Sequence, residues 1–178
     1  MTAISIRPAT PADIPAITRI YAHAVQHGTA SFELEPPDEA EMARRQQALL
    51  DGGFPYLVAT NDGAGDDPVL GYAYAGPYRA RPAYRFSVEN SVYVATDAHR
   101  RGVGRALMDR LIAESVARGY RLMIAVIGDS AQTASIELHR AAGFKLVGAF
   151  EGVGYKFDRW LDTVLMQRPL GKGASAPP

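Results

Sequence analysis

Three arginines and two glycines lie in one short loop, between an apolar strand pattern and a helical pattern. The strand pattern ends in Val92-Tyr93-Val94, and the loop reads Arg100-Arg101-Gly102-Val103-Gly104-Arg105. The first turn of a helix has backbone N–H groups without partners inside the helix, and these groups bind anions. Glycine lets an anion approach the backbone closely, and arginine adds positive charge. The spacing therefore predicts a phosphate or pyrophosphate site rather than a solvated basic turn.

Two common nucleotide-binding loops do not fit this stretch. A P-loop contains Gly-Lys followed by Ser or Thr, and no such run follows Gly104. The dinucleotide fingerprint has a third glycine at the position that Leu107 occupies here. The predicted anion site is thus of another class.

Glu89 is the candidate general base, because it is a carboxylate within a run of residues that favour strands. Alternate side chains of a strand share a face. One face then carries Glu89, Ser91 and Tyr93, and the other carries Val88, Asn90, Val92 and Val94. The competing interpretation is a carboxylate that only faces solvent.

His139 is the second candidate for proton transfer. It lies one turn before Gly143, which ends a predicted helix. An imidazolium can donate a proton near neutral pH. The alternative is a structural histidine that the dipole at the helix C-terminus stabilises. Tyr93 and Tyr155 are further candidates as proton donors.

The sequence predicts that these residues lie on strands and helices in the order β-α-α-β-β-β-α-β-α-β-β. Strands are expected at 3–7, 56–60, 69–75, 86–95, 121–127, 144–150 and 156–167, and helices at 10–26, 38–50, 102–118 and 129–142. A turn rich in Gly and Asp at 61–68 joins two of the strands, and Asp129 or Ser130 is expected to cap the last helix. The strand at 121–127 is mostly apolar, as expected for a central strand that is covered on both faces. The predicted fold class is α/β (α+β), with one domain over 1–170 and a disordered tail over 171–178.

Composition limits the kind of protein. The 178 residues suit a single domain, and Lys+Arg and Asp+Glu both number 19, so that no overall field favours nucleic acid. The absence of cysteine excludes disulfides, thiolate metal sites and a cysteine nucleophile. No apolar run of about 18 residues predicts a membrane span, and a cytoplasmic protein is expected. His23 and His27 are four residues apart, but without a third ligand nearby they predict a solvated helix face and no metal site.

The strand and its loop resemble the acetyl-CoA pyrophosphate segment of the GCN5-related N-acetyltransferases (GNAT family), and the resemblance covers nearly the whole chain. The run His139-Arg140-Ala141-Ala142-Gly143-Phe144 is similar to a second landmark of that family, a helix that ends in Gly-Phe. Residues 87–94, 134–139 and 153–162 resemble the phosphinothricin and methionine sulfone or sulfoximine acetyltransferases more closely. Two positions depart from the family pattern. His99 stands where the loop usually begins with Gln or Arg, and Gln132 stands where close relatives have an Asn near the pantetheine.

The resemblance implies a mixed central sheet flanked by helices, with acetyl-CoA as co-substrate. The residues implied for its binding are Val92, Tyr93, Val94, Arg100, Arg101, Gly102, Val103, Gly104, Arg105, Gln132 and Ser135. It also implies a bulge in the strand near Glu89, which exposes backbone N–H groups to the thioester oxygen. His139 then stands where many relatives have a tyrosine that protonates the CoA thiolate.

The irregular loops are expected to select the acceptor. Phe32, Arg79, Tyr84 and Arg85 offer aromatic surfaces and guanidinium groups. Arginine pairs with carboxylate, phosphinate or sulfone oxygens, which suits a small amino acid with an oxidised side chain. The resulting hypothesis is direct acetyl transfer to the α-amine of phosphinothricin, methionine sulfone or methionine sulfoximine, with Glu89 as general base.

Two other functions stay open. Acetylation of a protein N-terminus or a lysine would need an open groove in place of a closed pocket. A sensor that binds acetyl-CoA without catalysis would not need Glu89 and His139. For partners, a small amino acid and a second copy of the chain are expected, as in close relatives, and no nucleic acid or membrane. The segment 156–162, with Trp160, is expected to be structural, at a dimer contact or a pocket.

Overall fold

The computed structural model describes residues 3–61 and 69–177. Its seven strands are β1 Ile4–Pro8, β2 Tyr56–Asn61, β3 Gly71–Pro77, β4 Ser87–Val94, β5 Leu122–Gly128, β6 Lys145–Lys156 and β7 Arg159–Pro169. Its four α-helices are α1 Ile14–His27, α2 Glu39–Asp51, α3 Val103–Ala117 and α4 Thr133–Ala141. The predicted order of elements is therefore confirmed, while the predicted turn at 61–68 lies, beyond Asn61, outside the described residues.

The strands form one sheet in the order β1-β2-β3-β4-β5-β7-β6. Every neighbouring pair is antiparallel except β4 and β5, which run parallel. Pairing between β4 and β5 extends from Ser87–Leu122 to Asn90–Ala125 and then stops. Both strands continue beyond that point, β4 paired with β3 and β5 paired with β7. The two central strands therefore part, and we call this opening the fork.

Helices cover both faces of the sheet. Leu107, Met108 and Leu111 of α3 are fully buried in a core that also contains Val88 of β4. On the other face, Ile17 of α1 packs in a second core, which includes Met42, Val58 and Tyr72. Val92 and Val94 pack against the first core and Tyr93 against the second. This division confirms the alternation predicted for β4.

The final hairpin differs from the expected strands. β6 runs without interruption to Lys156, so that 151–155 is strand and not a connection. The turn is made by Phe157 and Asp158, whose φ angles are 52° and 56°. Two register shifts, between Leu146 and Gly148 and between Phe150 and Gly154, accommodate the glycines as bulges. The glycines at 152 and 154 favoured a strand break, and Phe-Asp is an uncommon pair for a turn with positive φ.

Two further expectations need correction. The residue before α4 is Gln132, not Asp129 or Ser130. Asp129 instead has a φ of 72°, and its carboxylate accepts a hydrogen bond from the backbone N–H of Ala131. β5 is central but is not covered along both faces, since 39% of Val126 is exposed at the fork. After Leu170 the described chain forms turns, and the disordered tail stays a prediction.

Candidate active site

A cleft that is open to solvent lies at the fork between β4 and β5, and its empty space is about 430 Å³. Of the predicted site residues it is lined by Val92, Tyr93, Gln132, Ser135 and His139. Ala30 and Asn90, which were not predicted as site residues, also line it. The cleft therefore combines strand residues with α4 and with the connection between α1 and α2.

The separation of β4 from β5 bears on the bulge that was predicted near Glu89. From Val88 to Val94 the register with β3 contains no shift, so that the predicted bulge is not present in this ladder. Beyond Asn90, however, the edge of β4 that faces β5 has no strand pairing. A strand edge presents unpaired N–H groups. The fork thus offers the free backbone donors that the bulge was expected to provide.

Glu89 lies on the opposite side of β4 from His139. Its partner across the ladder is Gly76 of β3, and its carboxyl interacts electrostatically with Arg79 and Tyr74. Burial raises the pKa of Glu89 above its ordinary value, and the positive charge of Arg79 lowers it in part. A partly buried carboxyl with a raised pKa beside an arginine is a typical setting for a general base.

His139 is buried and bonded at both ring nitrogens. Nδ1 lies 2.7 Å from the backbone oxygen of Ser135, and Nε2 lies 2.9 Å from the amide nitrogen of Asn90. A carbonyl oxygen only accepts, so Nδ1 carries a hydrogen. Burial lowers the pKa of His139, and the hydrogen bond to Ser135 raises it in part. The environment thus favours a neutral ring, and the predicted role as proton donor stays a prediction.

The loop before α3 matches the geometry expected of an anion site. Gly102 has a φ of 86° and precedes the first residue of α3, where no side chain caps the helix. Nothing would meet a Cβ atom at Gly102, so that the positive φ is what requires glycine there. Gly104 packs against Leu138 of α4 and Val94 of β4. The free N–H groups of the first turn therefore lie beside the end of β4 that leads into the cleft.

Two of the predicted arginines already have partners inside the protein. Arg101 donates to the side-chain oxygen of Asn61 at 2.9 Å. Arg105 pairs with Asp109 at 2.7 Å and donates to the backbone oxygen of Ala141 at 3.1 Å. Arg100 has a φ of 60°, which makes the turn into the loop. These contacts join the loop to β2 and α4, and direct anion contacts of the arginines stay predictions.

Gln132 has a structural contact besides its place in the cleft. Its amide donates to the hydroxyl of Thr29 at 3.0 Å, which joins the start of α4 to the connection after α1. Phe32 of the same connection packs on Gly128 at the end of β5 and on Gly154 of β6. A Cβ atom at Gly154 would lie 2.3 Å from the Phe32 ring, so that the close approach requires glycine. Phe32 thus borders the cleft near Gly128, which lines it.

The other predicted acceptor residues lie on the connection between β3 and β4. The positive charge of Arg79 lowers the pKa of Glu89 in part, and its guanidinium lies 5.2 Å from the ring centre of Tyr78. Tyr84 contacts Tyr78 edge to face. Arg85 stacks on Phe86 and donates to the backbone oxygen of Pro82. Among these three, Arg79 is thus the one whose charge acts on the base candidate.

Lys156 is a further residue that the sequence interpretation did not assign to the site. It is 4% exposed, and its ammonium donates to the backbone oxygens of Gly28 and Ser31 at 2.9 and 2.8 Å. Burial lowers the pKa of Lys156, and Glu33 raises it in part. Ala30, between the two acceptors, lines the cleft. No local signal marks Lys156, because its partners are more than a hundred residues away.

The sequence matches a family of known proteins along most of its length. Residues 6–165 match the family model for the acetyltransferase (GNAT) domain. The chain belongs to the GNAT acetyltransferase family. It is 53% identical to phosphinothricin N-acetyltransferase of Alcaligenes faecalis, over 99% of this chain and 87% of that protein. It is 43% identical to the L-methionine sulfoximine/L-methionine sulfone acetyltransferase of Pseudomonas paraeruginosa, over 97% of this chain and 98% of that protein.

A crystal structure of similar fold extends the comparison. The phosphinothricin acetyltransferase of Sinorhizobium meliloti, solved in complex with AcCoA, superimposes with a TM-score of 0.94 at 47% identity. The alignment covers all of this chain and 94% of that one. The predicted family and the mixed sheet flanked by helices are thereby confirmed. The chain is an acetyl-CoA-dependent N-acetyltransferase.

The described residues of this GNAT acetyltransferase fit acetyl-CoA in two respects. The uncapped first turn of α3 suits a pyrophosphate, and the unpaired edge of β4 suits a chain of amide groups. Among the described residues, no three His, Asp or Glu side chains are grouped so that they could hold a metal ion, and the rings of His23 and His27 lie 4.7 Å apart. None of the helices described here is long and apolar enough to cross a membrane.

Proposed function

We propose that this acetyltransferase moves the acetyl group of acetyl-CoA to the α-amine of a small amino acid of the phosphinothricin, methionine sulfone or methionine sulfoximine type. The observation that carries the proposal is the half-buried carboxyl of Glu89, on the face of β4 opposite to Asn90 and His139, whose pKa burial raises and the charge of Arg79 lowers in part. A carboxylate can take a proton from the amine, and a guanidinium whose charge acts on that carboxylate can bind an oxidised side chain. The names of the relatives at 53% and 43% identity support the same acceptor class.

Glu89 serves as the general base in this proposal. A primary amine is protonated near neutral pH and must lose a proton before its lone pair attacks the thioester carbon. Burial raises the pKa of the half-buried Glu89 carboxyl, so that its carboxylate is a stronger base than that of an ordinary glutamate. The proton passes to Glu89 directly or through a water molecule. Transfer is direct, since the chain has no cysteine to carry the acetyl group.

The co-substrate is proposed to bind at the fork, along the edge of β4 and the first turn of α3. Acetyl-CoA supplies the acetyl group as a thioester. The backbone N–H groups of residues 103–105, with Gly102, Arg100 and the flanking arginines, hold its phosphates. The free edge of β4 at Val92–Val94, with Gln132 and Ser135, orients its thiol arm. An N–H group of that edge also stabilises the negative charge that develops on the thioester oxygen.

An acetyl-CoA consumption assay tests the proposed acceptor class. The panel contains phosphinothricin, methionine sulfone, methionine sulfoximine, unmodified methionine and short peptides. We expect turnover of the first three and a higher KM for methionine, which lacks the side-chain oxygens that Arg79 binds. Turnover of the peptides alone would overturn the proposal in favour of protein acetylation, and binding of acetyl-CoA without turnover of any amine would favour a sensor.

We also propose that two copies of the chain associate through the hairpin of β6 and β7. Seven of its large apolar side chains are more than half exposed: Leu146, Val147, Phe150, Val153, Tyr155, Phe157 and Trp160. Tyr155 and Trp160 pair across the strands with ring centres 5.2 Å apart. Exposed apolar patches of this kind favour association between proteins. Because Lys156 joins this hairpin to the connection that lines the cleft, the interface would support the site.

Sedimentation of a charged variant tests the interface. Trp160→Arg places a charge within the patch, and we expect it to shift the protein from dimer to monomer at micromolar concentration. Val116→Arg is the matched control, since Val116 is 40% exposed and belongs to α3 instead of the hairpin. A monomeric wild type, or a Trp160→Arg variant that stays dimeric, would contradict the proposed interface. The cytoplasmic location and the absence of nucleic-acid and membrane partners stay predictions.

A further inference from the structure

One buried polar atom beside the cleft has no hydrogen-bond partner. In the described part of the chain four buried side-chain atoms are in this state: Gln46 Nε2, the Tyr72 hydroxyl, Asn90 Oδ1 and Ser115 Oγ. Among these four residues, Asn90 is the one that lines the cleft. Asn90 is also the last residue of β4 that pairs with β5, so its side chain lies at the base of the fork. A buried acceptor without a donor costs free energy, which calls for an explanation.

The hydrogen bonds of His139 determine which end of the Asn90 amide is unpaired. Nδ1 must donate to the backbone oxygen of Ser135, because that oxygen only accepts. In the neutral ring Nε2 then has a lone pair and accepts from the Asn90 NH2 group at 2.9 Å. The amide oxygen is therefore the end left over. The donor and acceptor roles of the two side chains thus determine which end of the Asn90 amide faces His139.

Protonation of His139 reverses these roles. An imidazolium has a hydrogen on both nitrogens, so that Nε2 becomes a donor and the NH2 group of Asn90 can no longer serve as its partner. Rotation of the amide by half a turn about the Cβ–Cγ bond removes the clash between the two donors. It needs no extra space, because the NH2 group and the oxygen have similar size. Oδ1 then accepts from Nε2, and the NH2 group takes the place that Oδ1 had.

We propose that Asn90 and His139 form a coupled pair in which the orientation of the Asn90 amide follows the proton on His139. With a neutral ring the base of the fork holds an acceptor, Oδ1, and with a charged ring it holds two N–H donors. Asn90 is thus a positioning residue for His139.

The surroundings leave this pair electrostatically isolated. The ring of His139 packs edge to face on Phe144, with 5.0 Å between ring centres. The charged side chains near the end of α4 are engaged elsewhere: Arg140 pairs with Glu137, Arg105 with Asp109, and Arg168 donates to the backbone oxygen of Ala142. Glu89 of the same strand faces the other side. The partner that responds to the proton on His139 is therefore the neutral amide of Asn90.

The catalytic consequence rests on the proposed function, whereas the coupling does not. The thioester oxygen and sulfur gain negative charge when the acetyl group is transferred, and N–H donors stabilise negative charge. A proton that reaches His139 would turn the Asn90 NH2 group toward the base of the fork, where this charge develops. His139 would then act on the reaction through Asn90.

Nitrogen NMR of the whole protein tests the coupling directly. The side-chain resonances of His139, assigned with a His139→Gln variant among the four histidines of the chain, are followed through a pH titration together with the NH2 group of Asn90. We expect a neutral ring with hydrogen on Nδ1 at high pH. The NH2 resonances of Asn90 should shift with the same midpoint as the ring. A ring that titrates while the Asn90 resonances stay fixed would overturn the proposal, as would a neutral ring with hydrogen on Nε2.

Two variants extend the test. In Asn90→Asp the side chain offers a carboxylate to Nε2, which favours the charged ring, and the titration midpoint of His139 should rise by about one pH unit. Ser115→Ala is the control, because Ser115 is also buried without a partner but belongs to α3. It should leave the midpoint unchanged. A midpoint that does not rise in Asn90→Asp would overturn the coupling even if the wild-type resonances move together.

Kinetics separates this inference from the proposed function. If the wild type acetylates amino acids, Asn90→Leu should lower kcat about tenfold and leave the KM for acetyl-CoA within twofold of its value. An unchanged kcat would overturn the catalytic consequence. If the wild type acetylates no amine, the proposed function fails, and the titration result still decides whether Asn90 follows His139.

Discussion

The ammonium group of Lys156 lies 2.8 Å from the backbone oxygen of Ser31, which is 125 residues earlier in the chain. The same group is 2.9 Å from the backbone oxygen of Gly28. These bonds hold the connection between α1 and α2 against β6, and Ala30 of this connection lines the cleft. The hydroxyl of Ser31 is held from the other side by Tyr21 at 2.9 Å. The border of the cleft therefore depends on a buried charge.

Replacement of Lys156 by methionine should loosen this connection. Methionine keeps an apolar side chain of similar length but leaves two buried carbonyl oxygens without donors, and hydrogen bonds to a charged group contribute about 1.5–3 kcal/mol each. We expect faster amide exchange in residues 28–33 and a KM for the amino acid that is about tenfold higher. Lys145→Met is the control, because Lys145 is exposed on the same strand. Unchanged exchange in 28–33 would contradict the role of Lys156.

Glu89→Gln should lower kcat by about 10²–10⁴-fold, the usual contribution of a general base. In the wild type, activity should rise with pH as Glu89 ionises, at a midpoint above the ordinary pKa of a glutamate because burial raises the pKa of Glu89. The variant should lack this acidic limb. The measurement is the pH profile of kcat/KM, with Glu151→Gln on exposed β6 as control. A variant that retains the limb would assign the proton to another group.

Arg79→Ala should act on both the acceptor and the base. Loss of a charge-assisted contact to the oxidised side chain is worth about 1.5–3 kcal/mol, which raises the KM for the acceptor about 10- to 100-fold. Removal of the positive charge should also raise the pKa of Glu89 further, since Arg79 lowers it in the wild type. The acidic limb of the pH profile should therefore move to higher pH.

Arg81→Ala is the matched control for this variant, because Arg81 is exposed on the same connection. It should change neither the KM nor the position of the limb. If Arg79→Ala raises the KM without moving the limb, Arg79 binds the acceptor but does not influence Glu89. If neither changes, Arg79 is not part of the site.

Asp13→Asn should destabilise the start of α1. Asp13 accepts from Arg7 at 2.7 and 2.8 Å and from the backbone N–H of Thr10 at 2.7 Å. Burial raises the pKa of Asp13, but these hydrogen bonds outweigh it and the net pKa is lowered. The loss of the charge should cost about 1.5–3 kcal/mol of unfolding free energy in urea at pH 7.

The pH dependence of this contribution has a defined sign. Because the pKa of Asp13 is lower in the folded protein, its contribution is complete above the ordinary carboxyl pKa and is lost as the pH falls through the folded value. The difference in stability between wild type and Asp13→Asn should therefore shrink in acid. Asp51→Asn on the exposed end of α2 is the control. A difference that stays constant down to pH 2 would contradict the assignment.

Features that depend on neighbouring residues could be predicted. Thr10, Pro11 and Asp13 indicate the start of the first helical segment, where Thr10 and Asp13 form a capping box. The alternation of β4 follows from strand geometry alone, and it correctly separates Glu89 from Asn90. Gly102 before a helical pattern predicts the uncapped turn that the structure contains. The predicted bounds of the last two strands were wrong, because Phe157 and Asp158 make the turn with positive φ although they are not the usual residues of such a turn.

The sequence by itself determined the elements, the parity of β4 and the anion loop, because these result from short-range sterics and hydrogen bonding. Only the tertiary structure decided where β4 and β5 part, which side chains meet at the fork, and which of three candidate acceptor residues on one loop has a charge that acts on the base. Asn90 and His139 are 49 residues apart, and Lys156 reaches a loop near the other end of the chain. Such contacts depend on how the elements pack, since the direction of a side chain across a sheet or helix has no local signal.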